Sequence, residues 1–256
     1  MTAAVSIGIA AAAGADVAAR IAPAAEQAGF RALWVNDTPG ADALEVLAAA
    51  AAVTDRLMLA TGVLPMDRRT PGSILDRVSA LGLPVDRLVL GIGSGSGGAV
   101  GALGRVKDAA AVLRAGSEAD VVVGALGPKM RRLGAEASDG VLLSWLTPDA
   151  ARAQHHEAHE TAAATHVALY VRAATDAAAA GRLDVEADRY AGYPSYAANF
   201  ARLGISAHDT VLRPDGFGAG LDAYRAAVDE VVLRAIVPGD GAADHLAFVE
   251  AAARAL

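Results

Sequence analysis

Residues 87–98, RLVLGIGSGSGG, run from an apolar stretch of strand length straight into alternating glycines. A chain that leaves a strand this way bares backbone amides, and such a loop can wrap a phosphate. The next residues, AVGALGRVKDAAAVLRAG (99–116), have helical composition and close on glycine. A dinucleotide fingerprint would need this to be the first strand, with an acid about 20 residues on, at the end of the next strand. Here three strand-like runs come first, and the nearest acids, Glu118 and Asp120, fall where the following run begins. The loop therefore reads better as one connection of a barrel than as a Rossmann turn.

The rest of the chain repeats the same beat. Short apolar runs at 5–9, 32–36, 57–63, 87–93, 120–126, 140–145, 166–174 and 230–237 alternate with alanine-rich stretches of helical length. Helix punctuation is in place: Gly29 at a C-terminus, Pro128 in a first turn, Thr147 as an N-cap before Pro148. Strands of continuous apolar character, each followed by a helix, predict a parallel sheet covered on its outer face. Eight such units in 256 residues predict one α/β domain, a (β/α)8 TIM barrel spanning 1–256. Residues 176–229 hold more helix than one unit needs, so extra helices are expected before the eighth strand.

Composition narrows the function. A formal charge of −7 offers no basic stripe and argues against nucleic acid and acidic membranes as partners. There is no cysteine, which excludes disulfides and thiolate chemistry. No apolar stretch reaches spanning length uninterrupted, and no basic segment precedes the first one, so a cytoplasmic protein is expected.

In a barrel, the connections after strands meet at the C-terminal mouth, where ligands bind. NDTPG (36–40), TGVLPMDRR (61–69), GSGSGG (93–98) and GALGPKM (124–130) would meet there. They offer small residues, hydroxyls and exposed amides. The last opens a helix, so the amides of Gly127, Lys129 and Met130, with the Lys129 charge, suit an anion. This convergence fits a cofactor with a phosphate tail.

Three stretches, AAEQAGFRALWVND, LATGVLPMDRRTPGSILDRVSALGLPVDRLVLGIGSGS and VVVGALGPKMRRLGAEASDGVLLSWLTPDAA, resemble the bacterial-luciferase-like superfamily. The likeness covers about residues 5–150 and resumes weakly in RYAGYPSYAANFARLGI and AYRAAVDEVVLRAIVP. It implies a luciferase-like barrel that binds FMN or coenzyme F-420 (8-hydroxy-5-deazaflavin) across the strand C-termini. It further implies a cis peptide at Gly62–Val63, behind the central ring of the coenzyme. The cofactor-binding set implied by the resemblance is Asp37, Thr61, Gly62, Val63, Ser94, Gly95, Ser96, Leu126, Gly127, Pro128 and Lys129. Sugar-phosphate dehydrogenases of this superfamily carry a histidine after the acid and a glutamate in the glycine loop. Thr38 and Ser96 stand there instead, and neither hydroxyl is a proton acceptor near neutral pH. No catalytic residue is assigned.

The expected activity is hydride transfer, or monooxygenation with FMN, on a small organic substrate, by a homodimer paired through helices beside the second and third strands. The competing expectation is a non-catalytic flavin-binding or degenerate barrel acting as carrier or scaffold. A third is an unrelated barrel that binds a phosphorylated metabolite. HHEAHE (155–160) invites a metal site, but a solvated helix face is the expectation and no metal is assigned. Trp34 is expected between barrel and helices, and Trp145 near the mouth. Arg68 and Arg69 are expected on a solvated loop, and Tyr193 and Tyr196 in helix packing.

Overall fold

In the computed structural model, which describes residues 3–95 and 100–256, the apolar runs form strands that close on themselves. They are β1 (Ala4–Ala10), β2 (Ala32–Asn36), β3 (Met58–Thr61), β4 (Leu64–Pro65), β5 (Leu88–Gly93), β6 (Asp120–Gly124), β7 (Gly140–Ser144), β8 (His166–Ala173) and β9 (Glu230–Ala235). The order is β3-β2-β1-β9-β8-β7-β6-β5-β4, and parallel pairing of β3 with β5 (Leu59 with Leu88, Ala60 with Val89) shuts the ring. The expected third strand is thus two pieces, β3 and β4, and the barrel has eight staves. The intervening segments supply α1 (Ala15–Gln27), α2 (Ala43–Ala51), α3 (Pro71–Ala80), α4 (Ala102–Gly116), α5 (Pro128–Ala137), α6 (Pro148–Thr161) and α10 (Ala242–Ala253). The expected excess before the last strand is α7 (Ala180–Ala191), α8 (Pro194–Leu203) and α9 (Phe217–Arg225).

Local chemistry sets the helix ends. α1 stops because Gly29 takes φ +85°, and its neighbour's amide, Phe30 N–H, reaches back to the Ala25 carbonyl. Side chains of Asp42, Thr70 and Thr147 cap α2, α3 and α6. Gly127 starts α5 with no side-chain cap. No helix among the described residues is long and apolar enough to cross a membrane.

Alternation along the strands divides the interior in two. One set of side chains packs outward under the helices. The other, including Trp34, Ala60, Val89, Val122, Leu142, Ala168, Tyr170 and Val232, fills the lumen. Trp34 is therefore core, but inside the barrel rather than between barrel and helices. At the N-terminal foot the lumen closes on Glu230. Its buried carboxylate accepts from Ser6 Oγ (2.6 Å), Trp34 Nε1 (2.7 Å), His166 Nε2 (2.8 Å) and Arg31 Nε (3.2 Å).

Candidate functional site

The four connections named from the sequence do meet at one end of the barrel. Asn36 Nδ2 donates to the Gly62 carbonyl, and Gly62 N–H donates to the Val35 carbonyl, tying the loop after β2 to the break in the third stave. Asp37 accepts from Arg69 Nη2 (2.8 Å), Arg69 Nε (3.2 Å) and Arg68 Nη2 (3.4 Å), as well as from Ala43 N–H. Arg69 is therefore no solvated loop residue, being committed to this nearly enclosed carboxylate and to Asp42, whereas Arg68 stays exposed as expected and touches Asp37 only at the long end of the range. Met66 N–H bonds the Gly93 carbonyl, and the Asp67 carboxylate lies against Gly95, which sits at φ +74°. Ser96, expected at the coenzyme, lies outside the described residues.

At the centre is Val63, reached through a cis Gly62–Val63 peptide where the resemblance implied one. A Cβ on Gly93 would fall 2.6 Å from Val63 Cγ2, and one on Gly124 would fall 2.8 Å from Val63 Cγ1. The two glycines thus form a cradle that only a missing side chain permits, and Val63 keeps a partly accessible face. Thr61 is fully buried beneath it, its hydroxyl donating to the Gly91 carbonyl at 3.0 Å. Ser94 and Leu126 are half-buried at the rim, and Gly127, Pro128 and Lys129 lead into the first turn of α5 with Pro128 and Lys129 exposed.

The opposite side of the mouth, from β7 to β9, was not legible as a site in the sequence. Tyr170 on β8 stands against Gly62, where a Cβ would meet its ring at 2.7 Å. Its buried hydroxyl has no hydrogen-bond partner among the described residues, and burial pushes it well above the ordinary tyrosine range. Arg172, two residues on, lies over Trp145 at 4.2 Å and Tyr190 at 4.7 Å and reaches Glu186 at 3.7 Å. Arg234 on β9 donates Nε to Asn36 Oδ1 at 3.1 Å; burial, with the Arg172 charge nearby, holds it below the ordinary arginine range. Trp145, at φ +58°, packs on Tyr190 and Phe200 beneath α7 and α8, with its Nε1 unpartnered among the described residues. Tyr193 and Tyr196 join that aromatic stack, as helix packing. Two surface depressions lie elsewhere: one of about 440 Å³ beside Asp149, Arg152 and His155, one of about 350 Å³ between Asp176, Pro238 and Phe248. Neither is lined by the four loops. The hydrogen-bond geometry and the missing side chains locate the site better than cavity size does, because an open barrel mouth is a shallow surface.

The closed parallel ring of eight staves, with extra helices before the last strand, is a (β/α)8 barrel. Residues 2–119, just under half of the chain, match the luciferase-like monooxygenase family. The chain is similar over its whole length to the coenzyme F-420-dependent tetrahydromethanopterin reductase of Methanopyrus kandleri. That match has TM-score 0.77 and 17% identity, covering 100% of this chain and 99% of that one. It is also similar to a monooxygenase from Streptomyces bottropensis (TM-score 0.74, 18% identity, 99% and 98% covered). A third likeness is to the FMN-bound oxygenating constituent of 3,6-diketocamphane monooxygenase from Pseudomonas putida (TM-score 0.67, 14% identity, 99% and 98% covered). No curated protein sequence matches the chain.

Proposed function

We propose that this barrel binds a tricyclic redox coenzyme, FMN or the deazaflavin F-420, at its mouth and is an oxidoreductase acting on a small organic substrate. The observation that carries the reading is Val63. It is wedged into the Gly93–Gly124 cradle with one face accessible, where four loops meet. The residues present fit such a group. A flat surface is offered by Val63 and its flanking backbone, and the uncapped start of α5 with Gly127 and Lys129 suits a phosphate-bearing tail. Ser94, Gly95 and Leu126 line the rim between the two. The F-420 and FMN proteins named above share the fold and point the same way.

What the coenzyme supplies when bound is hydride transfer, with oxygen chemistry in addition for FMN. The chain's own part is orientation and electrostatics. Arg172 shares the partly buried Glu186 with Arg189, and Arg234 is buried nearby, so the cations on this side of the mouth favour an electron-rich partner. Asp37 positions Arg69 and does not act as a base, because its oxygens are taken up by two guanidinium groups and a backbone amide. Thr38 stands where sugar-phosphate dehydrogenases of the superfamily carry a histidine, and its hydroxyl is no proton acceptor near neutral pH. That favours, as a second reading, a relative that binds the coenzyme without turning over.

A homodimer through α2 and α3, and a cytoplasmic location, belong to the same proposal; equilibrium sedimentation tests the former and cell fractionation the latter. Titration of purified protein with FMN and with F-420, followed by fluorescence, should give saturable binding of at least one. Absence of binding of either at high micromolar concentration defeats the proposal. Steady turnover in reductase or monooxygenase assays eliminates the non-catalytic version.

A further inference from the structure

At the foot of the barrel, remote from the mouth, HHEAHE does something other than face solvent. His155 and His159 stand one turn apart on α6, with ring centroids 4.3 Å apart, and turn the same way. His155 Nε2 lies 3.0 Å from Asp229 Oδ1 and His159 Nε2 lies 3.1 Å from Asp229 Oδ2. His156, between them in sequence, points away and is 77% exposed. It, Glu157 and Glu160 are exposed and fit the solvated-face expectation.

The donor count around this triad does not close. Ring nitrogens face three acceptors: the two Asp229 oxygens and the Ala163 carbonyl, which lies 3.1 Å from His159 Nδ1. Two neutral imidazoles carry one N–H each. If His159 Nδ1–H donates to the Ala163 carbonyl, its Nε2 turns a lone pair toward a carboxylate oxygen. That contact repels unless a proton or a metal ion sits between the two atoms. A carbonyl bond at one imidazole nitrogen is the usual way a protein fixes the tautomer that offers the other to a metal.

We propose that His155, His159 and Asp229 bind a divalent transition-metal ion, zinc by the donor set, which ties α6 to the β8–β9 end of the barrel. The ligating atoms all lie within 4.8 Å of one another. A tetrahedral zinc with bonds of about 2.0–2.1 Å keeps its ligands about 3.3 Å apart, close to the two separations seen. Two imidazoles and one carboxylate favour zinc, nickel or copper over calcium and magnesium, which take oxygen. Asp229 is itself held: Val167 N–H at the start of β8 donates to its Oδ2 at 2.9 Å. Partial exposure of both rings (28% and 30%) leaves the ion an entry path and room for water as a fourth ligand. The role is structural, since Asp229 precedes β9 and so lies at the end opposite the mouth.

Full-length protein, stripped with a chelator, is titrated with zinc by calorimetry and with cobalt(II) by visible absorption. One equivalent should bind, with the intense cobalt bands of a four-coordinate site. The thermal midpoint should rise by about 5 °C or more at roughly a hundredfold excess over Kd. His159→Ala and His155→Ala should each weaken binding at least about tenfold, and His156→Ala should not. Both positions are partly exposed on α6, a helix that alanine favours. Absence of saturable binding overturns the proposal, as does binding that survives both ligand substitutions. So does a protein that refuses zinc while ¹⁵N spectra show the His159 ring protonated on both nitrogens.

Discussion

Replacing Glu230 with glutamine should cost more stability than its one-atom change suggests. Glu230 is 1% exposed, and each carboxylate oxygen accepts two donors: Ser6 and Trp34 on one, His166 and Arg31 on the other. Glutamine keeps one acceptor oxygen and puts an NH2 in place of the other. Whichever way the amide turns, two donors then face a donor. Hydrogen bonds to a charged group contribute about 1.5–3 kcal/mol each, and breaking a buried pair costs about 3–5 kcal/mol. The Arg31 side chain is 42% exposed and water can take over its share. The lower part of that range, about 3–4 kcal/mol, is therefore expected. At about 2–4 °C per kcal/mol for a chain of this size, the midpoint should fall by roughly 6–16 °C. The pH dependence provides an internal check. Burial alone would raise this carboxyl, but the His166, Ser6 and Trp34 hydrogen bonds outweigh it and hold it below its ordinary 4.5. A depressed folded-state value means the stabilisation is fully present above the unfolded value and is lost as pH falls through the folded one. The gap between wild type and Glu230→Gln, followed by circular dichroism melts, should be flat from neutrality down to about pH 5 and narrow below about 4.5. A midpoint within 2 °C of wild type (about 1 kcal/mol or less), or a gap that widens in acid, would refute the assignment of this network as the seal of the barrel foot.

Four other substitutions separate packing from ligand binding. Gly91→Ala places a Cβ 1.9 Å from the Thr61 carbonyl oxygen and should leave little folded protein on expression, whereas Gly127→Ala, with nothing within 4 Å, should melt like wild type. Gly93→Ala pushes on Val63 from 2.6 Å; overpacking of this kind costs about 1–3 kcal/mol, so coenzyme affinity measured by fluorescence should drop about five- to hundredfold while the fold persists. Tyr170→Phe removes a buried hydroxyl that has no partner among the described residues, so the midpoint of the ligand-free protein should stay level or rise slightly; a fall of several degrees would reveal a partner.

The barrel was legible because both faces of its strands are buried, and burial leaves continuous apolar runs with helical spacing between them. The same property hid the direction of individual side chains. Trp34 in ALWVN reads as core on either face, and only closure of the ring turns it inward onto Glu230, 196 residues away. The stave at 57–63 reads as one strand. Its division into β3 and β4 rests on Gly93 and Gly124 vacating space for Val63, which no local pattern encodes. His155 and His159 read as a wet face for a parallel reason: their partner Asp229 lies 74 and 70 residues on. A period in the sequence reports which face of an element is apolar, not what a polar residue on that face will meet.

The mouth divides along the same line, and the division bears on function. Its glycine side was readable, since glycines and hydroxyls after a strand are a local signal. Its cationic side was not, because Arg172 in VALYVRAA and Arg234 in EVVLRAIV look like ordinary charges near strand ends. Alternation from Tyr170 and Val232, both in the lumen, carries them inward. Compared with the foot, the contrast is chemical. There every oxygen of Glu230 has its donors, and the lumen is closed by satisfied polar groups. At the mouth, Tyr170 Oη, Trp145 Nε1 and Thr38 Oγ1 are buried without partners among the described residues, and Arg172 shares Glu186 with Arg189. Unpaired buried polar atoms cost about 1–3 kcal/mol each, which makes them rare in a finished core. Other unpartnered buried atoms occur outside the lumen, Thr165 Oγ1 before β8 among them, but within the lumen the Glu230 end is satisfied and the Tyr170 end is the one that gains by binding something polar and electron-rich. That asymmetry supports a ligand at the mouth independently of any likeness to known proteins.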